Sequence, residues 1–260
     1  MKSKINKIGM EIEGEFSEEL KEKIDLLAIG NWTHDGSISR CMTETGRMLP
    51  RGHKKKLIDI EFVSIPFEID EEGIEKIKKF FSLLKEYYKK GEFHYNRTMG
   101  LHIHVSFTSK LPVEIWSGAF VEYFRAGLIE KFPEMYRRRL SNSTYCKKIE
   151  NEKEIAFGED RYREINFKPA FEKHGTIEFR IFASDSPVRM QRYLFFTIRR
   201  IKGFLGKSRK LLRQNHNIDI DLKRKKEEIV ETIVEKITQV VTDKIKTSRI
   251  TEERKEYSLK

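Results

Sequence analysis

The octet Gly100-Leu-His-Ile-His-Val-Ser-Phe107 constrains the fold more than any other stretch of the chain. Its apolar and polar residues alternate, the period of a β-strand with two unlike faces. Leu101, Ile103, Val105 and Phe107 take one face, and His102, His104 and Ser106 take the other. The apolar side supplies core contacts, which leaves the polar side free to point into a site. Two imidazoles and a hydroxyl in a row can bind metal ions and phosphate oxygens. The plainer reading is a partly exposed strand with two ordinary histidines, and this segment alone leaves both open.

The same alternation recurs with acidic residues. Lys7 to Phe16 reads as a strand, with Ile8, Met10 and Ile12 alternating against Glu11, Glu13 and Glu15. Leu57 to Pro66 reads as a second, with Asp59 and Glu61 on one face. Arg163 to Ala170 and Thr176 to Ala183 read as a hairpin pair, the latter carrying Glu178 and Arg180 on one face. On any single strand, such residues are most simply the solvent side of a half-buried sheet. Four strands that each offer two polar ligands make a stronger pattern. Clustered carboxylates repel one another unless a cation neutralises them. Mg²⁺ or Mn²⁺ suits oxygen donors and nucleotide phosphates, Mn²⁺ accepts imidazole, and Arg163 and Arg180 are suited to oxyanions.

Between the strands, helical spacing predicts a helix from about Ile74 through Lys90, ended by Gly91, and an aromatic helix opened by Pro112 and interrupted by Pro133. Pro187 begins a long helix through Phe204. Asn31 to Ser37 is read as turn-rich and residues 134 to 160 are ambiguous. A last helix, from about Leu222 to Lys246, carries an apolar stripe from Ile229 to Ile245. Packing against the domain is its simplest role, and a homo-oligomer formed through this helix is the next. Without a regular βαβ rhythm, the expected class is α+β with a mainly antiparallel sheet. The expected domains are a catalytic one over 1–205 and a basic, helical extension over 206–260.

The formal charge of +11 suggests an anionic partner. Residues 201–260 hold 16 Lys or Arg against 10 Asp or Glu, a net of +6 and over half the excess. A charged chain end is usually a solvated surface, and no nucleic-acid-binding motif appears, which argues against nucleic acid. The two cysteines, Cys41 and Cys146, form no metal-type pair and read as reduced thiols. No apolar run reaches transmembrane length, so a cytoplasmic protein is expected. Glycine-rich phosphate loops are lacking, as are nucleophile elbows.

Six pieces in order resemble the amidoligase family of the glutamine synthetase and glutamate–cysteine ligase superfamily. They are Gly9-Met-Glu-Ile-Glu13, Asp35-Gly-Ser37, Glu61-Phe-Val-Ser64, Gly100-Leu-His-Ile-His-Val105, Arg163-Glu-Ile-Asn166 and Thr176-Ile-Glu-Phe-Arg-Ile181. The resemblance implies a curved, mainly antiparallel sheet cupping ATP and divalent metals. It also implies ATP-dependent joining of a carboxylate to an amine through an acyl phosphate, with an amino acid, a peptide, a cell-wall fragment or a protein side chain all open as substrates. Glu11, Glu13, Glu61, His102 and Glu178 would then be metal ligands for Mg²⁺ (or Mn²⁺). His104 and Ser106 would lie near the phosphates, with Asn166 a second-rank contact. Arg163 and Arg180 would meet phosphate or the reacting carboxylate, and Glu13, Asp35 and Glu61 are the alternatives for the general base. The chain is too short for the large additions of glutamine synthetase. Its substrate is therefore open, to be read by loops such as 40–56 and 141–160. The basic run Arg47 to Lys56 could attract an acidic substrate or ATP. A cupin-like metal enzyme led by His102 and His104 is a rival, though no glutamate follows at the short distance expected. A non-catalytic basic nucleic-acid- or nucleotide-binding module is another, and it leaves the strand carboxylates unexplained.

Overall fold

The computed structural model describes residues 4–34, 57–96, 98–108, 111–141, 146–157, 161–170 and 175–214. Asp35, the basic run Arg47 to Lys56, Cys41 and the helix expected over 222–246 lie outside them. Contacts divide the chain into two compact units, residues 1–206 and 207–260. Every described strand belongs to the first.

Eight strands form one antiparallel sheet: β1 (Ile5–Ser17), β2 (Gly30–Thr33), β3 (Leu57–Ser64), β4 (Phe67–Glu68), β5 (Phe93–His94), β6 (Gly100–Phe107), β7 (Ile165–Asn166) and β8 (Thr176–Ala183). The main path runs β2-β3-β1-β6-β8-β7, and the short β4 and β5 pair with the ends of β1. Among the described residues six helices accompany it: α1 (Glu18–Asp25), α2 (Glu71–Lys89), α3 (Gly118–Lys131), α4 (Pro133–Ser141), α5 (Glu152–Phe157) and α6 (Pro187–Gln214). The class is α+β, as the alternation of the sequence implies.

The apolar face of the sheet is where helices pack. Ile8, Met10, Ile12 and Phe16 of β1 and Leu101, Ile103 and Val105 of β6 are fully buried. Phe62 of β3 stacks on Phe80 of α2, at 4.9 Å between ring centroids. Phe179 of β8 meets Phe124 of α3 at 4.6 Å, and Phe182 stacks on Tyr193 of α6 at 5.1 Å. Three helices thus cover one side through aromatic anchors, each adding offset or edge-on attraction to its buried area. The polar residues of β1, β3, β6 and β8 are left to the opposite side. The sheet has two distinct ends, β2 and β7, so it is open and not the barrel that a cupin-like site would require.

Three boundaries differ from the sequence reading. Gly30–Thr33, read as the start of a turn, is an edge strand paired to β3, held by Trp32 packed on Phe16 and Phe62. Helix α3 starts at Gly118, not at Pro112: the Pro112 carbonyl closes a turn on Ile115 and Trp116, and Ser117 then caps the helix by accepting from Phe120 N at 3.2 Å. The first arm of the expected hairpin shrinks to β7 followed by a single 3₁₀ turn, Lys168–Ala170. Gly91, at φ 72°, sits where a left-handed residue ends α2.

Candidate functional site

Strand register brings the polar positions together. Glu13 of β1 lies opposite Glu61 of β3, and Glu11 lies opposite His102 of β6. His104 faces Glu178 of β8, which in turn faces Asn166 of β7. Residues spread from position 11 to 178 therefore meet on one side of five adjacent strands. A one-residue slip of any strand would turn its ligands into the core, so the apolar pattern fixes the site as firmly as it fixes the fold.

The centre is His102, which is 3 % exposed. Its Nδ1 lies 2.9 Å from Glu11 Oε2 and 3.6 Å from Glu178 Oε1. Its Nε2 lies 3.7 Å from Glu13 Oε1 and has no hydrogen-bond partner. Glu13, itself buried, accepts from the Gly100 backbone N–H at 2.7 Å through its other oxygen. His104 Nε2 stands 3.1 Å from Glu11 Oε1, an ion-pair contact made off the hydrogen-bonding axis. Asn166 donates to Glu178 at 2.7 Å, and Arg180 bonds the other oxygen of the same carboxylate while its guanidinium sits over the Tyr162 ring. Glu61, near the rim, accepts from the Thr33 hydroxyl at 2.9 Å.

Electrostatics set these carboxylates apart. Burial works to raise Glu11, but its contacts with His102 and His104 and their charge outweigh it, so Glu11 titrates well below the ordinary range. His104 is shifted upward: burial opposes its charge, and the adjoining Glu11 overcomes that opposition. Glu61 is pushed up to about 7, first by burial and then by the charge of Glu11, against the Thr33 bond and His102. Burial first, and the neighbouring carboxylate charge second, thus favour the protonated form of one member of the cluster up to neutral pH.

Two overlapping sets could hold a cation. One is Glu11, His102 and Glu178, the other Glu13, Glu61 and His102, each with donor atoms within 4.8 Å of one another. Carboxylate oxygens with one imidazole suit a hard divalent ion such as Mg²⁺ or Mn²⁺. The fit is supported by His102 Nε2, a buried lone pair or N–H that nothing among the described residues satisfies.

Other residues singled out in the sequence sit differently. Ser106 Oγ accepts from the Lys7 backbone N–H at 3.2 Å, beside the irregular register of β1. Arg163 points its guanidinium to Glu154, at 3.1 Å, and to the Lys148 carbonyl, at 3.0 Å, tying α5 to the segment before β7. Asn166 is placed to orient Glu178. Two participants escaped sequence reasoning. Thr33 belongs to a strand read as a turn, and Arg139 looks like one more basic residue of a charged helix. Arg139 is nevertheless 5 % exposed and reaches across Gly100 toward His102.

Fold and site together define an α+β protein whose open antiparallel sheet carries helices on one face and a carboxylate–imidazole cluster on the other. A family model described as "putative amidoligase enzyme" matches residues 6–155. That is more than half of the chain, which therefore belongs to the amidoligase family, a family of ligase-type enzymes. The matched span holds Glu11, Glu13, Glu61, His102 and His104, while Asn166, Glu178 and Arg180 lie beyond it. No curated protein and no solved structure matches the chain.

Proposed function

We propose that this protein is an ATP-dependent carboxylate–amine ligase that forms an amide bond through an acyl phosphate. The observation that carries the reading is the carboxylate cluster around His102, whose Nε2 lacks a partner, with Arg180 at its edge, in a chain of the amidoligase family. Glu11, Glu13, Glu61, His102 and Glu178 would hold Mg²⁺ (or Mn²⁺), which supplies charge neutralisation for the nucleotide phosphates. Asn166 and Arg180 fix both oxygens of Glu178, so that its donor direction is set before substrates arrive. His104, tilted toward Glu11 and partly open, is suited to donate to a phosphate oxygen.

The chemistry divides into two balanced steps. A carboxylate oxygen of the acid attacks the γ-phosphorus, ADP leaves, and an acyl phosphate results. The amine nitrogen then attacks the carbonyl carbon, inorganic phosphate leaves, and the amine proton passes to a base. Glu13, Asp35 and Glu61 are the candidates for that base, and Glu61, raised to about 7 in the metal-free cluster, can take the role only where it does not coordinate a cation. The direct test is calorimetric titration of folded protein with Mg·ATP, followed by phosphate release across a panel of acids and amines with Glu178→Gln as control. Binding of Mg·ATP and acid- and amine-dependent phosphate release, both lost in the control, is expected. Folded protein that does not bind Mg·ATP would sink the reading.

A further inference from the structure

Helix α4 carries three consecutive arginines with different fates. Arg137 is exposed, Arg138 half-buried, and Arg139 buried. A buried arginine normally closes on a carboxylate, because an uncompensated charge in the interior is costly. Arg139 does not. Among the described residues it has no carboxylate within ion-pair distance. Its Nε makes one long hydrogen bond, 3.4 Å, to the Arg180 carbonyl. Burial accordingly works against its charge, with the neighbouring Cys146 thiol and then Glu13, through space, acting in its favour.

Its direction is set by Gly100. A Cβ built on Gly100 would lie 2.6 Å from Arg139 Nη2 and 2.9 Å from His102 Nε2. The side chain missing at Gly100 therefore leaves the space in which the guanidinium tip and the unpartnered imidazole nitrogen meet. Glu13 reaches the same corner through the Gly100 N–H. Arg180, by contrast, already gives part of its guanidinium to Glu178. Of the two arginines at the cluster, Arg139 is the one whose guanidinium meets no carboxylate among the described residues, its side-chain neighbour there being the neutral Cys146 thiol.

We infer that Arg139 is a substrate-binding arginine, whose guanidinium takes an oxyanion of a reactant, phosphoryl or carboxylate, at the Gly100–His102–Glu13 corner. This rests on the ligase reading for the reactants and on the geometry alone for the oxyanion. A planar guanidinium matches either group with two parallel hydrogen bonds, which a lysine cannot reproduce.

The test uses the full chain, with inorganic phosphate, Mg·ADP and Mg·ATP as probes, and Arg139→Met and Arg139→Lys as variants whose folding is checked by thermal unfolding. Phosphate should bind the native protein with Mg²⁺ present. Arg139→Met should weaken it by about 10- to 100-fold, and Arg139→Lys by less. If the group held is the phosphoryl, Arg139→Met weakens Mg·ATP and spares Mg·ADP. If it is the carboxylate, both nucleotides bind as before and the KM for the acid rises with kcat far less affected. Should Arg139→Met fail to fold, Arg139→Lys carries the test, since it keeps the charge and loses the fork. Absence of phosphate binding to the native protein would overturn the inference. So would unchanged phosphate, nucleotide and acid dependence in folded variants, which would make Arg139 a packing residue only. A native protein that binds phosphate through Arg139 but ignores Mg·ATP would instead overturn the ligase reading and leave the oxyanion site standing.

Discussion

Glu164 and Glu13 are both buried carboxylates with an arginine nearby, and they are treated in opposite ways. Glu164 bonds Arg125 Nη2 and accepts from the Ile149 N–H at 3.0 Å. Arg125 is held in turn by the Ile149 carbonyl, at 2.8 Å, and by Glu122. The buried charges of this cluster are paired, Glu164 with Arg125, although Arg125 Nε itself lacks a partner, and the pair pins α3 to the segment before β7. Glu13 accepts from one backbone N–H, faces an imidazole nitrogen that lacks a partner, and stands beside an arginine that does not pair with it. Both clusters use glutamate and arginine in the interior of one domain. Only the second leaves its buried arginine without a carboxylate partner among the described residues, which is what a site needs if reactants and ions are to complete it.

The largest expected effect falls on the paired cluster. Arg125→Met strands Glu164 in the interior and should lower folding stability by about 3–5 kcal/mol, read as a shift in the denaturant midpoint. Removing a carboxylate from the Glu13 cluster should act with the other sign. Glu13→Gln relieves repulsion, so the metal-free protein should be no less stable, while Mg²⁺-dependent phosphate release should fall by roughly 10²–10³-fold. A Glu13→Gln protein that loses stability as Arg125→Met does would erase the distinction between the clusters.

Legibility in the sequence divides along the same line. β1, β3, β6 and β8 could be read because their alternation is a local signal, and the same alternation assigned Glu11, Glu13, Glu61, His102 and Glu178 to one face. β2 could not, since Gly30-Asn-Trp-Thr33 is short and its strand character comes from Trp32 packing on residues of β1 and β3. Arginine roles were the least legible. Arg163 lies in a motif and Arg139 in an ordinary basic run, yet it is Arg163 that ties down Glu154 and Arg139 that enters the cluster. Partner choice for a long side chain is settled by tertiary approach, here of α4 to the end of β6, and no local pattern encodes it. Thr33 was missed for the reason β2 was.

A smaller effect concerns pH. With Glu61 raised to about 7, the native protein holds a proton there that the unfolded chain releases near 4.5. Native binds more protons than unfolded between those values, so this group's contribution to stability is full below 4.5 and is lost as pH rises through 7. Metal binding must expel the same proton. Mg²⁺ or Mn²⁺ affinity should therefore fall by about tenfold per pH unit below 7 and level off above it, with proton release measurable by calorimetry in buffers of different ionisation enthalpy. A pH-independent affinity between 5.5 and 7.5 (roughly, to either side of the Glu61 value) would show that Glu61 is not a ligand.

The smallest effect separates Glu61 from its neighbours most finely. Thr33 is the hydroxyl that favours its charged form, by a 2.9 Å bond on a partly exposed edge strand. Thr33→Val removes that donor, keeps the β-branched shape and should leave the fold intact. Without the bond the carboxylate holds its proton more tightly, so the midpoint of the pH-dependent metal affinity should move up by about half a unit. The paired cluster offers no counterpart, because Glu164 is fixed by a buried guanidinium and not by a hydroxyl at the rim. A midpoint that stays in place in Thr33→Val would mean that burial and Glu11 alone set the Glu61 proton, and that β2 contributes structure but no tuning to the site.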